Sequence, residues 1–465
     1  MIESFIKKVN EGDINLSEHF DKVISDCERI NEKFGCFNVL DVNGIKKQVS
    51  DLESNDSHLS LKGLVISVKD NICVKGVESC ADSAILQNYR PVFDATVVKR
   101  LRDCGAVIIG KTSQDEFGFG SFNVNVGLNN SPPKNPFDSL RVAGGSSGGG
   151  AVITATADFA HVALVECTGG SIECPASFCG VFGFVPTYGR VSRFGLISYA
   201  NSFDKIGLMS RSAKDLCPVL NAISGFDKND MTSADVPVNF HCDKSKLRVG
   251  IIVDNFDLAD SKIKDLLLSK VESLKENFDF VESVSLPISS KYALPVYYIL
   301  ALSEASTNLQ KFCGLRYGVQ ENPKSKYFSD YFSSIRSKFF NDESKRRILL
   351  GTFVRMAGFR DSYYIKSAKL RTKIIQEYKS LFEKYDVLLS PTMSRTAPSF
   401  EEVKDFSALD SFRMDVLTVS PNIAGIPHAS IPCGFIDNLP VGLMAMSNHF
   451  DEASLLKFVE LFDDV

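Results

Sequence analysis

Three short apolar runs, "LVISV" at 64–68, "AVIIG" at 106–110 and "HVALV" at 161–165, each stop at a lysine or a glycine-bearing turn. Runs of this length bounded by turn signals predict buried strands. Between them, "DATVVKRLRDCG" spaces its apolar residues by three and four, as an amphipathic helix does, and "AVITATADFA" predicts a second helix. Such alternation selects an α/β fold. Further along, "KLRVGIIVDN" and "YDVLLSPT" read as strands, and "IAGIPHASIPCG" as a segment punctuated by proline and glycine. The expected organisation is one unit over 1–465: an N-terminal helical layer at 1–60, a core at 61–255, a mostly helical insertion at 260–380, and a C-terminal return to the core at 385–465.

The 465 residues are 44% hydrophobic and 23% charged, enough to bury a large core. A net charge of -5 gives no basic field for gripping phosphate backbones, so any nucleic-acid role is expected through a partner. The opening "MIESFIKKVNEGDINLSEHF" is neither a secretory signal nor a membrane span, which predicts a cytoplasmic protein with no membrane partner. The twelve cysteines are scattered without a CxxC and read as reduced core thiols. Six histidines without HExxH give no metal site.

Two glycine-flanked serine sites carry the chemistry, "AGGSSGGG" at 143–150 and "TGGS" at 168–171. The first fits G-x-S-x-G around Ser147, but a nucleophile elbow needs an apolar strand directly before it, and the irregular loop at 129–150 supplies none. Nor does it carry the G-K-[ST] of a phosphate loop. "TGGS" does follow a strand, and its glycines let successive amides turn toward one point. The backbone N–H groups of Thr168, Gly169, Gly170 and Ser171 are therefore a candidate oxyanion hole, with Ser171 as the nucleophile. A lysine at a strand end, Lys69, is the candidate base if its surroundings hold it neutral. A serine of the first site can relay the proton between them, since a hydroxyl both donates and accepts.

"SVKDNI", "AGGSSGGG" and "TGGSIECPASFCGVFGFVPTYGRVSRFGL" together resemble the amidase signature family. The resemblance implies an amidase-signature fold, a large mixed β-sheet covered by helices on both faces. It also implies a Ser-Ser-Lys triad of Lys69, bridging Ser146 and nucleophilic Ser171. The two serines are one residue further apart than in the family pattern, so either a residue is inserted near "ADFAH" or Ser147 is the bridge.

Within the family, "SEASTNLQKFCGLRYG", "KRRILLGTF" and "VSPNIAGIPHASIPCG" resemble the glutaminase subunits of glutamyl-tRNA(Gln) amidotransferases. That likeness implies hydrolysis of glutamine through an acyl-enzyme, the ammonia serving conversion of Glu-tRNA(Gln) to Gln-tRNA(Gln). It assigns Arg347 to the α-carboxylate of glutamine and Asp415 to its α-amino group. It adds a tyrosine, Tyr297 or its neighbour Tyr298. It implies no cofactor in this chain. The implied partners are amidotransferase subunits B and C, or an equivalent kinase-like subunit that uses ATP and Mg and brings the Glu-tRNA(Gln). Taken alone, Arg347 beside Lys345 and Arg346 reads as a solvated basic face, and Asp415 as a helix-surface acid.

Two positions depart from the family pattern. Cys167 stands where an aspartate precedes T-G-G-S, and Glu173 where an arginine follows G-G-S-I. Val185 and Leu208 also stand where relatives have lysine and proline. Loss of both members of a buried ion pair reads as a linked exchange, after which Glu173 needs a new cation or a proton. The competing functions are a stand-alone amidase for small amides and a catalytically weak scaffold subunit.

Overall fold

The apolar runs join one sheet. A computed structural model describes residues 2–55, 57–127, 131–322 and 327–463. Its strands are β1 (Phe37–Leu40), β2 (Val65–Lys69), β3 (Val107–Thr112), β4 (His161–Cys167), β5 (Phe182–Val185), β6 (Lys205–Ser210), β7 (Leu247–Ile252), β8 (Phe278–Val284), β9 (Val387–Pro391), β10 (His428–Ile436) and β11 (Leu439–Met446). Their order across the sheet is β1-β3-β2-β4-β6-β5-β10-β11-β9-β7-β8. β2 is parallel to β3 and β4, and β7 to β8 and β9, while the other neighbours are antiparallel. This is the large mixed sheet expected.

Successive strand residues face opposite sides of a sheet. In β4, Val162 and Leu164 pack in one core with Val97, Val98 and Leu101 of helix Thr96–Asp103 and with Leu220 of helix Leu216–Ile223. Ala163, Val165 and Cys167 pack in another, with Val23 and Cys27 of helix Leu16–Phe34 and Val152 of helix Gly148–Thr156. β9 divides likewise, Val387 and Leu389 joining the first core, and Leu388 meeting Val296 and Leu300 of helix Pro287–Asn308. Helices thus cover both faces.

Several segments differ from the sequence reading. The stretch 1–60 contributes β1 at one edge of the sheet, and 260–380 contributes β8 at the other. β1 has four residues, too few to show a period, and β8, "FDFVESV", carries charges suited to an edge. "IAGIPHASIPCG" becomes the end of helix Val419–Ala424, a left-handed Gly425 and the start of β10. Pro432 is tolerated there because β5 pairs only with 428–430, leaving no partner for the missing N–H on that side. Of the loop at 129–150, residues 129 and 130 lie outside the described residues, and the chain is helical from Gly148. The twelve cysteines are free thiols. Among the described residues no helix is long and apolar enough to cross a membrane.

For the site, the decisive feature is that β2 and β4 are adjacent and parallel. Their C-terminal ends, where ligands of parallel sheets bind, bring Lys69 beside the start of the 168–171 turn.

Candidate active site

Lys69, the last residue of β2, is fully buried. Its Nζ donates to Ser146 Oγ at 2.8 Å, to the Glu166 carbonyl at 2.9 Å and to Glu166 Oε2 at 2.9 Å. Ser147 turns its hydroxyl to the Glu166 carbonyl at 3.2 Å, so of the two serines it is Ser146 that meets the lysine. Two other lysines are also buried: Lys111 donates to the carbonyls of Asp70 and Ile72 and to Ser79 Oγ, and Lys205 to the Phe203 carbonyl. His161 sits at the far end of β4, its Nε2 2.9 Å from Ser67 Oγ. Six residues at ~3.3 Å each put it about 20 Å along the strand from Cys167, and burial pushes the imidazole down to about 3.

The turn between β4 and helix Glu173–Cys179 holds Ser171, which is 7% exposed. Both glycines are required there. A Cβ on Gly169 would lie 2.3 Å from Cζ of Tyr297, and one on Gly170, at φ +154°, would lie 2.4 Å from Thr418 Oγ1. Thr418 Oγ1 donates to the Gly169 carbonyl at 2.7 Å. Because the C=O and N–H of a trans peptide point oppositely, this bond turns the Gly170 N–H away from Thr418. Thr168, in the same turn, donates its hydroxyl to Glu166 Oε1 at 2.7 Å and lies 3.0 Å from Asp204 Oδ1.

The two departures from the family pattern meet beneath this turn. Cys167 Sγ donates to Glu173 Oε2 at 3.0 Å. Glu173 Oε1 accepts from Asn422 Nδ2 at 2.6 Å and lies 2.6 Å from His428 Nε2. His428 Nδ1 faces the Ile426 carbonyl at 2.9 Å and must carry a hydrogen, so a second proton is shared between Nε2 and Glu173. Burial pushes the Glu173 carboxyl up, but the His428 charge, its hydrogen bond and the Cys167 thiol outweigh that and hold it at about 2. The partner that Glu173 needed is therefore His428.

Arg347 and Asp415 are both buried, unlike the solvated groups that their local sequence suggests. Arg347 donates Nε to Glu343 Oε1 at 2.7 Å and Nη1 to the Tyr199 hydroxyl at 3.0 Å, its guanidinium 5.2 Å from the Phe119 ring and 5.7 Å from that of Tyr298. Asp415 accepts from Ser121 Oγ and from the Tyr298 hydroxyl, each at 2.6 Å. Burial raises the Asp415 carboxyl to about 6, against the pull of Ser121, Tyr298 and Arg347. The two tyrosines divide the work: Tyr298 holds Asp415, while Tyr297 covers Gly169 of the turn.

Close contacts link these groups. A Cβ on Gly118 would sit 3.4 Å from Ser146 Oγ, 3.7 Å from Glu166 Oε2 and 3.9 Å from the Tyr199 ring, linking the lysine cluster to the partner of Arg347. The Ser121 carbonyl accepts from the Gly145 amide and from Cys174 Sγ, linking Asp415 to both serine motifs. Glu166, Tyr199, Ser121, Thr418, Asn422 and His428 were not singled out from the sequence. Only Glu166 had a local signal, a carboxylate at the end of the run that leads into "TGGS". Among the described residues, no group of three or more His, Cys, Asp or Glu is placed to hold a metal ion.

A mixed sheet with helices on both faces, a buried lysine on a serine, and a strand running into a glycine-serine turn are what the resemblance to the amidase signature family implied. Residues 18–456 match the family model described as Amidase, and the chain belongs to that family. It is 47% identical over 405 residues to the A subunit of the glutamyl-tRNA(Gln) amidotransferase of Archaeoglobus fulgidus, covering 86% of this chain and 85% of that one. It is 40% identical to the same subunit of Geobacillus kaustophilus, over 98% and 95% of the two chains. The crystal structure of the glutamyl-tRNA(Gln) amidotransferase A subunit from Thermotoga maritima superposes with a TM-score of 0.75 at 31% identity, covering 92% of this chain and 87% of that one.

Proposed function

We propose that this chain is the glutaminase subunit of a tRNA-dependent amidotransferase, releasing ammonia from glutamine for conversion of Glu-tRNA(Gln) to Gln-tRNA(Gln) by its partners. The observation that carries the reading is a buried pair of opposite charge, Arg347 and Asp415, joined through Tyr298 and tied to the Ser171 turn by Thr418. Arg347 can take an α-carboxylate through two N–H groups and Asp415 an α-ammonium, so the site favours a free amino acid over a plain amide. That distinguishes it from a stand-alone amidase of small amides. The scaffold reading rested on Cys167 and Glu173, and His428 supplies Glu173 with a partner.

In this reading Ser171 Oγ attacks the side-chain amide carbon of glutamine while its proton passes to Ser146 and on toward Lys69. Backbone amides of the 168–171 turn, that of Gly170 oriented by Thr418, receive the oxyanion. The proton returns through Ser146 to the leaving nitrogen, ammonia departs, and water releases glutamate from the acyl-enzyme by the same route. The chain works with amidotransferase subunits B and C or an equivalent kinase-like subunit, where ATP and Mg act and Glu-tRNA(Gln) binds.

The test is glutamine-dependent ammonia release by the chain co-expressed with those partners. Ser171→Ala and Lys69→Ala should each lower it by about 10³-fold or more while the complex still assembles. Wild-type complex that amidates only with added ammonia would instead support the scaffold reading.

A further inference from the structure

The sequence reading asked for a lysine held neutral, and the surroundings of Lys69 are the opposite. Its three ammonium hydrogens have three acceptors: a backbone carbonyl, the Ser146 hydroxyl and the Glu166 carboxylate. Glu166 in turn meets only donors. Oε2 accepts from Lys69 Nζ at 2.9 Å and Asn71 Nδ2 at 3.0 Å, and Oε1 accepts from Thr168 at 2.7 Å. Both partners of the Lys69–Glu166 ion pair are buried, with side chains 0% and 1% exposed. An amine whose three hydrogens are all committed has no lone pair for Ser146, so the site needs a further proton acceptor.

We propose that Glu166 is that acceptor: a positioning residue that serves as counter-charge to Lys69 and stores the proton that Lys69 gives up so that it can take one from Ser146. The inference rests on the glutaminase reading and deepens it. Lys69 first gives one hydrogen to Glu166 Oε2, leaving a neutral amine and a carboxylic acid. Rotation about Cε–Nζ then presents the amine lone pair to Ser146. As the Ser171 oxygen bonds to the amide carbon, the carbonyl π electrons move to the oxyanion. The Ser171 proton goes to Ser146 and the Ser146 proton to Lys69. One negative charge leaves Glu166 and one appears on the substrate oxygen, so the buried site keeps its net charge. Collapse reverses the path and delivers the stored proton to the leaving nitrogen.

The surroundings keep Glu166 ready to accept. Thr168 has one hydroxyl hydrogen and faces two carboxyl groups, so when it donates to Glu166, Asp204 must donate to Thr168. Asp204 is suited to hold that proton. Burial and then the Glu166 charge raise it to about 8, against Arg193, the Ala200 amide and Thr168.

The experiment measures ammonia release and melting of the assembled complex carrying Glu166→Gln or Glu166→Asp. Expected is a kcat about 10²-fold lower for Glu166→Gln with KM within about twofold, and recovery of about tenfold by Glu166→Asp, in line with the worth of a general base. Activity of Glu166→Gln within twofold of wild type, while Ser171→Ala and Lys69→Ala are inactive, would overturn the Glu166 proposal and leave the glutaminase reading standing. Wild-type complex with no Ser171-dependent ammonia release would overturn both. Should Glu166→Gln fail to fold, Lys69→Met is compared with Lys69→Met/Glu166→Gln. The double variant should melt higher, because it removes a stranded carboxylate, and an equal or lower Tm would overturn the ion-pair role.

Discussion

Asp415 carries the clearest consequence for solution behaviour. Its folded carboxyl is raised from 3.8 to about 6, so it is protonated more readily in the folded chain than in the unfolded one. The stability it contributes is full below 3.8 and is lost as pH rises through about 6. Binding of an α-ammonium runs the other way, because only the ionised carboxylate attracts it. The KM for glutamine should therefore fall as pH rises from about 5 to about 7. Asp415→Asn should hold KM high and flat across that range, and steady-state ammonia release against pH checks this. The contact of Lys69 with Ser146 was legible in the sequence because each lies inside a motif whose chemistry needs that residue type. Glu166 and Tyr199 were not. Their roles come from side chains that meet across the fold, 97 residues apart for Lys69 and Glu166 and 148 for Tyr199 and Arg347.

The element that ties the site together is the β4 turn with its short helix, Glu173–Cys179, set over the start of β10 where His428 lies. Glu173 is lowered from 4.5 to about 2, so the stability it contributes is present above 4.5 and is lost as pH falls toward 2. Removing one member of a buried pair strands the other charge, so His428→Ala should cost about 3–5 kcal/mol, read as a lower Tm. Glu173→Arg should also lower Tm, because it sets a guanidinium against His428 with no carboxylate between them. An unchanged Tm would show that the departures at Cys167 and Glu173 are independent of His428. A continuous apolar run closed by a turn, as in β4, and a spacing of apolar residues by three and four, as in helix Leu16–Phe34, were readable from sequence. Four-residue β1, the charged edge β8 and proline-bearing β10 were not, because position in the sheet rather than composition makes them strands.

Across the whole molecule, sheet order and chain order disagree. β9, β10 and β11 come last in the chain, yet they lie between β5 and β7. A chain ending at residue 385 would keep β1 to β6 and β7 with β8 as two strand blocks that no longer pair in one sheet, and would lose Asp415, Thr418 and His428. Such a truncation should show no cooperative thermal transition and rapid proteolysis, against a single transition for the full chain by circular dichroism. The same topology bears on synthesis. As the chain leaves a ribosome at about 5–20 residues per second, the open edges of β5 and β7 wait for partners still to be made. An unpaired hydrophobic edge is a template for the wrong strand, so newly made copies are most prone to aggregate just before the last eighty residues emerge.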